Sequence, residues 1–221
     1  MRAKDLINYS IPPLKLKDNV DRAQQWMGEF HIHELPVVDQ GKFLGLFNEN
    51  LLFDEFSGAE TIEDIQIVGS QVFVDQNEHY YDVIKRAYDS NSNLVAVVNE
   101  NEEYIGAITI QDVVEAFSKM SSIQSPGVII IISMNIQDYS MTELSRIVET
   151  EDGKVLSSFI EDFEGQSGTI RVTLKIDPHS SNAVISSFGR HGYNIVSTFG
   201  LENEDDYQKE RLDTLLKYLE I

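Results

Sequence analysis

The first 120 residues spell out one structural unit twice, and this duplication constrains the fold more than any other feature of the chain. Val20, Ala23, Met27 and Phe30 fall at i, i+3, i+7 and i+10, one face of an amphipathic helix. Leu35-Pro36-Val37-Val38-Asp39 follows as an apolar strand, then a turn at Gln40-Gly41, the strand Lys42–Phe47 with Gly45 inside it, and a short helix Glu49–Phe56. About sixty residues on, the order recurs. Tyr80, Val83, Ile84 and Ala87 make the helix face, and Leu94–Asn99 is the apolar strand. Asn101–Glu103 turn the chain, Tyr104–Thr109 is a strand containing Gly106, and Ile110–Met120 is the closing helix. Each unit reads β-α-β-β-α. Units this small bury little core alone, so the two are expected to pack on each other.

Ser121–Gly127 is small, polar and closed by Pro-Gly, which reads as a linker. Beyond it the pattern changes. Val128–Met134 is a strand and Thr142–Glu149 a helix with Leu144, Ile147 and Val148 inward. Lys154–Ile160 and Thr169–Ile176 alternate with period two, joined by a turn at Gly165–Gly168. Ser181–His191 is a helix stopped at Gly192, and Tyr193–Phe199 is a fourth strand. The order β-α-β-β-α-β is the split βαβ arrangement. A charged C-terminal helix over Asp205–Glu220 carries a narrow stripe of Leu212, Leu215, Leu216 and Leu219. The expected class is α+β, with units at 1–58 and 59–120, a linker at 121–127, a domain at 128–200 and a terminal helix at 201–221.

Composition narrows the function. The chain has 221 residues with 37 acidic and 17 basic side chains, a net charge of −20, which repels phosphate backbones and anionic membranes. Nucleic acid and membrane are therefore not expected partners, while one small nucleotide in a local pocket stays compatible with that charge. No cysteine is present, so disulfides and thiolate chemistry are excluded. The start MRAKDLINYS lacks the apolar run of a signal peptide, and Val128–Ile132 is far short of the roughly 20 residues of a membrane helix; a cytoplasmic protein is expected.

Enzyme signatures such as Gly-x-Ser-x-Gly, Gly-x-x-x-x-Gly-Lys, Gly-x-Gly-x-x-Gly and His-Glu-x-x-His are missing, and no catalytic residue is assigned. His31 and His33 alternate as a metal pair would, but no third ligand is evident nearby and no metal is expected. The informative constellation is Gly106-Ala107-Ile108-Thr109-Ile110-Gln111-Asp112, where a strand runs into a helix. Thr109 and Asp112 have the spacing of a capping box, in which each side chain satisfies an orphan amide. The same geometry serves as an anion site: a hydroxyl and open N–H groups face a phosphate, and a carboxylate one turn on accepts a ribose diol. Both readings stand at this point.

The repeat resembles the CBS domain, and the tandem pair resembles a Bateman module, over residues 1–120. The resemblance is carried by Leu35-Pro36-Val37-Val38-Asp39 with Gly45-Leu46-Phe47, then by Val95-Ala96-Val97-Val98-Asn99 with the Gly106–Asp112 segment. It implies a non-catalytic regulatory protein that senses AMP, ADP, ATP or another adenosyl ligand such as S-adenosylmethionine, with Mg²⁺ as a companion of a triphosphate. Thr109 would meet a phosphate and Asp112 the ribose, while Val68, Ser70, Val95 and Ala96 would line the base. The first repeat departs from this pattern with Asn48 and Leu51 at the hydroxyl and carboxylate positions, and the second has Ala96 where the family usually has proline. Residues 128–199 resemble an ACT domain, although Asp138–Thr142 lacks the family's glycine; that segment either binds a different ligand or the domain serves to dimerise. The whole resembles the acetoin-utilisation regulatory proteins of bacteria in architecture, which implies a homodimer acting on a separate protein. The alternative is an interaction module whose motif is only a helix cap.

Overall fold

The computed structural model describes residues 1–49, 59–162 and 168–201. The chain divides into two compact units, Met1–Lys119 and the part from Met120 onward.

In the first unit, helix α1 (Val20–Phe30) is capped by Asn19, whose side chain accepts from the Asp21 amide, and is closed by His31 in the left-handed region. Strands β1 (Glu34–Asp39) and β2 (Lys42–Asn48) form an antiparallel hairpin. Strand β3 (Phe73–Asp75), helix α2 (Tyr80–Ser90), strands β4 (Leu94–Val98) and β5 (Tyr104–Thr109) and helix α3 (Ile110–Ser118) build the second repeat. Here β4 is central, parallel to β3 and antiparallel to β5. Both hairpins shift register at the same place, between Val37 and Val38 and between Val97 and Val98. Helix α2 ends as α1 does, on a left-handed residue, Asn91. The inward helix faces are narrower than their periodicity suggests: Val20, Ala23, Met27, Tyr80, Val83 and Ala87 are buried, but Phe30 is half-buried and Ile84 is exposed. The helix expected over Glu49–Phe56 lies outside the described residues beyond Glu49.

The segments that precede the two repeats are exchanged. Asn8 pairs with Ala107 of β5, whereas Val68, sixty residues later, pairs with Leu46 of β2. Each segment then returns to its own repeat, where Leu14 bridges Val37 and Val74 pairs with Val97. Further out, Ala3 N donates to Glu78 O and Ile62 N to Asp18 O, again crosswise. Glycine permits the close approach. A Cβ on Gly45 would stand 2.5 Å from Val68 O, and one on Gly106 would collide with Ile7 Cγ2.

The second unit opens with a one-turn helix, Ser121–Gln124, inside the stretch expected to be linker. Ser-Ser-Ile-Gln holds no breaker, Pro126 ends the turn, and Lys175 Nζ donates to Ile123 O at 3.1 Å, fastening it to the sheet. Strand β6 (Val128–Asn135), helix α4 (Met141–Thr150), strands β7 (Val155–Asp162) and β8 (Thr169–Ile176), helix α5 (Ser181–Arg190) and strand β9 (Asn194–Phe199) follow. The sheet order is β7-β8-β6-β9, antiparallel throughout, as a split βαβ unit requires. Val128, Ile130 and Ile132 of β6 and Ile170, Val172, Leu174 and Ile176 of β8 point inward onto Leu144, Ile147, Val148, Val184 and Phe188. Residues 202–221, with the expected helix and its leucine stripe, lie outside the described residues, as does most of the Gly165–Gly168 turn.

Candidate functional site

Strand β5 ends at Thr109, whose extended backbone turns the chain into α3. The hairpin sets this junction: Leu94 pairs with Thr109, and Asn93 O accepts from Ile110 N at 3.0 Å, so one helix-start amide is already satisfied. The capping box is complete. Thr109 Oγ1 donates to Asp112 Oδ2 at 2.6 Å, Thr109 N donates to the same oxygen at 2.8 Å, and Asp112 N donates to Thr109 Oγ1 at 3.1 Å. Both side chains are half-buried, open enough to meet a ligand and shielded enough for their hydrogen bonds to count.

The other carboxylate oxygen is held from outside the repeat. Asn8 Nδ2 donates to Asp112 Oδ1 at 3.1 Å across 104 residues of sequence. Asn8 cannot easily turn away, because its amide donates to Ala107 O at 2.9 Å and its Oδ1 accepts from Ser10 N at 3.1 Å. Reasoning from sequence missed Asn8. The signal was there in the duplication, which sets Asn8 against Val68.

The residues expected to line a base divide between two places: Val95, opposite Ile108, and Ala96, opposite Ala107, lie on the strand beside Thr109, whereas Val68 pairs with Leu46 of the first repeat. Val68 and Ser70 are exposed, and Val68 runs along Leu46 of the first repeat, because the leading segments are exchanged. Val95 and Ala96 are fully buried in the middle of the β3-β4-β5 sheet, with Ala96 N donating to Val72 O at 3.0 Å. They are core residues here.

The equivalent place in the first repeat has different chemistry. Asn48 stands where Thr109 does, pairing with Glu34 as Thr109 pairs with Leu94. Asn48 Nδ2 donates to Glu34 Oε1 at 3.0 Å, while Glu34 Oε2 accepts from Ser92 Oγ at 2.6 Å and from Asn93 N at 2.9 Å. Glu34 is 7% exposed. A buried carboxylate at this point opposes an anion, whereas Leu94 in the second repeat does not. Leu51, at the carboxylate position, lies outside the described residues.

His31, His33 and Glu49 border a concavity of about 380 Å³ with Gln24, Met27, Gly28 and Ile32. His33 Nδ1 lies 2.6 Å from Glu49 Oε2. Among the described residues no group of three or more His, Cys, Asp or Glu side chains comes together to hold a metal, and no helix is long and apolar enough to cross a membrane.

The second repeat, with its strand-to-helix Thr-x-x-Asp box, agrees with a family model. Residues 62–119 match the CBS domain. Solved structures similar to this chain include CBS domain pairs. A CBS domain pair/ACT domain protein from Thermotoga maritima is 20% identical, with 53% of this chain and 96% of that one covered at a TM-score of 0.47. The CBS domains of a transcriptional regulator from Streptococcus pneumoniae are 21% identical, with 52% and 98% covered at 0.47. A CBS domain pair solved with 5′-methylthioadenosine and S-adenosyl-L-methionine is 22% identical, with 53% and 96% covered at 0.44.

Proposed function

We propose that this chain is a non-catalytic regulatory protein whose CBS region binds an adenosine nucleotide at Thr109 and Asp112 and passes its occupancy to a separate protein. One observation carries the reading: the half-buried Thr109–Asp112 box at the start of α3, in the domain that matches the CBS family. Thr109 supplies a hydroxyl and a helix N-terminus for a phosphate, and Asp112 supplies acceptors for a ribose. One such site operates per chain, since Asn48 and buried Glu34 occupy the corresponding place in the first repeat. Lys85 and Arg86 are exposed on α2, and a triphosphate would need Mg²⁺ to offset its charge beside so acidic a protein. The base wall, first assigned to Val68, Ser70, Val95 and Ala96, is better sought in the exchanged segment Ile7–Ser10, the counterpart of Ile67–Ser70 that lies against β5.

The βαββαβ unit is read as an ACT-like domain that serves a homodimer. At −20 per chain two copies repel, so raising salt to about 0.5 M should strengthen association, as sedimentation would show.

A completed cap favours a second reading, an interaction module without ligand, because the box needs no further partner. Calorimetric titration of AMP, ADP, ATP and S-adenosylmethionine, with thermal shift alongside, separates the two. A ligand at a hundred times its Kd should add about 2.7 kcal/mol of stability, and no response to any of the four would favour the interaction module.

A further inference from the structure

We propose that two copies of this chain associate with α1 of each against α2 of the other, so that Tyr88 of one copy enters the concavity beside Gly28 of the partner subunit. This rests on the homodimer reading and gives it a surface in the CBS region. The two helices are counterparts sixty residues apart, and each ends on a left-handed residue, His31 or Asn91. Their inward faces match: Val20, Ala23 and Met27 are buried in one, and Tyr80, Val83 and Ala87 in the other. Their outward faces do not. Tyr81, Ile84 and Tyr88, at i, i+3 and i+7, are 61%, 36% and 85% exposed, a stripe along one side of α2. The same positions of α1 hold Asp21, Gln24 and Gly28. The core of the repeat thus does not require the stripe, and a contiguous exposed aromatic stripe marks a surface that another protein covers.

Where α2 carries bulk, α1 borders a hollow. The concavity of about 380 Å³ is lined by Gln24 and Gly28, the counterparts of Ile84 and Tyr88. The space at Gly28 is open, since a Cβ there would meet nothing within 4 Å. Apolar at Met27 and Ile32 and polar at Gln24 and His33, the hollow suits an aromatic ring with a hydroxyl at its tip. Charge agrees with shape. Lys85, one turn before Tyr88, is exposed, and Glu49 stands at the border of the concavity. A twofold axis that set α2 on α2 would bring the Lys85-Arg86 pairs of the two copies together and leave both concavities empty. Setting α1 on α2 makes the complementary contact twice and closes the assembly at two copies.

The chain has no cysteine, so an introduced thiol reports only on the contact where it is placed. Gly28→Cys and Tyr88→Cys are made in the full chain, one of them tagged so that products separate by mass, and treated with a short bismaleimide. A mixture of the two, after subunit exchange, should give a crosslinked dimer of one tagged and one untagged chain, and neither variant alone should crosslink. In sedimentation, Tyr88→Ala should weaken association at least about 10-fold, as should Gly28→Trp, which fills the hollow, while Tyr88→Phe stays near wild type. All these positions are exposed, so an unchanged Tm in each variant separates a lost contact from a lost fold. Tyr88→Cys that crosslinks with itself as readily as with Gly28→Cys would place α2 on α2 and overturn the proposal. A wild-type dimer without the mixed crosslink overturns it too and leaves the homodimer reading standing. A wild type that sediments as a monomer overturns both.

Discussion

Phe43 and Tyr104 occupy the same place in the two repeats and stack on each other, ring centroids 6.5 Å apart and planes 18° apart. The backbone joins there too: Tyr104 N donates to Gly41 O at 2.8 Å, and Lys42 bridges Glu103. Phenylalanine asks for no polar partner. The Tyr104 hydroxyl is buried and has no hydrogen-bond partner among the described residues, and burial pushes its phenol well above the ordinary tyrosine range.

Tyr104→Phe should therefore raise stability by about 1 kcal/mol at neutral pH, because an unsatisfied buried hydroxyl is removed while the stack is kept. The benefit should grow at alkaline pH. With the folded pKa raised, both states hold the proton below about pH 10; above it the unfolded chain releases a proton that the folded chain retains, so wild-type stability falls. Urea unfolding at pH 8 and near pH 11 checks this, and an equal advantage at both values would refute burial of the phenol as the cause.

Glu34 ties the first repeat to the second through Ser92 and Asn93. Replacing it with leucine, the residue at the equivalent Leu94, takes the acceptor away from the Asn93 amide, while Ser92 Oγ keeps Leu94 O at 2.7 Å. A loss of about 2 kcal/mol in denaturant unfolding is expected, against about 1 for Glu34→Gln, which keeps an acceptor. Equal stability of Glu34→Leu and wild type would mean the Asn93 amide finds another partner.

Gly106 and Ile7 should behave as one unit. Gly106→Ala alone should cost about 2 kcal/mol, since its Cβ meets Ile7 Cγ2, and Ile7→Ala alone a similar amount through lost packing. The double variant should lose less than the sum by about 1 kcal/mol, because each change relieves the other. Strict additivity in a double-mutant cycle would show that the exchanged segment does not lie against β5 in solution.

Asp112→Ala removes both the cap and the cross-repeat bond. About 2 kcal/mol of stability should be lost, roughly half from each, together with all AMP binding. Parallel chemical unfolding and titration separate the effects, and normal AMP affinity in this variant would eliminate the site.

The duplication, the helix faces and the period-two strands were legible in the sequence because they are local patterns: Thr169–Ile176 is a strand over the same residues that alternate. The Thr109–Asp112 pairing was legible for the same reason, with two residues between strand end and carboxylate. Asn8 was not, since its partner is more than a hundred residues away and Ile7–Leu14 has no period. Val68 and Ser70 come to the base wall only through the family resemblance, and Val68 lies along Leu46 of the first repeat. Val95 and Ala96 come to the ligand wall through the same resemblance, and both are fully buried in a central strand.

The exchange of leading segments also orders events during synthesis. Residues 3–8 leave the ribosome long before the residues that complete their surroundings, Gln76, Glu78 and Ala107, exist. The first hairpin in turn waits for Val68. Neither repeat can complete its sheet as it emerges, so the nascent chain must hold Ile7 uncovered until Gly106 and Ala107, about a hundred residues later, are made. Folding of this unit is therefore a late, concerted step, and its leading residues are the part a chaperone or a protease would meet open.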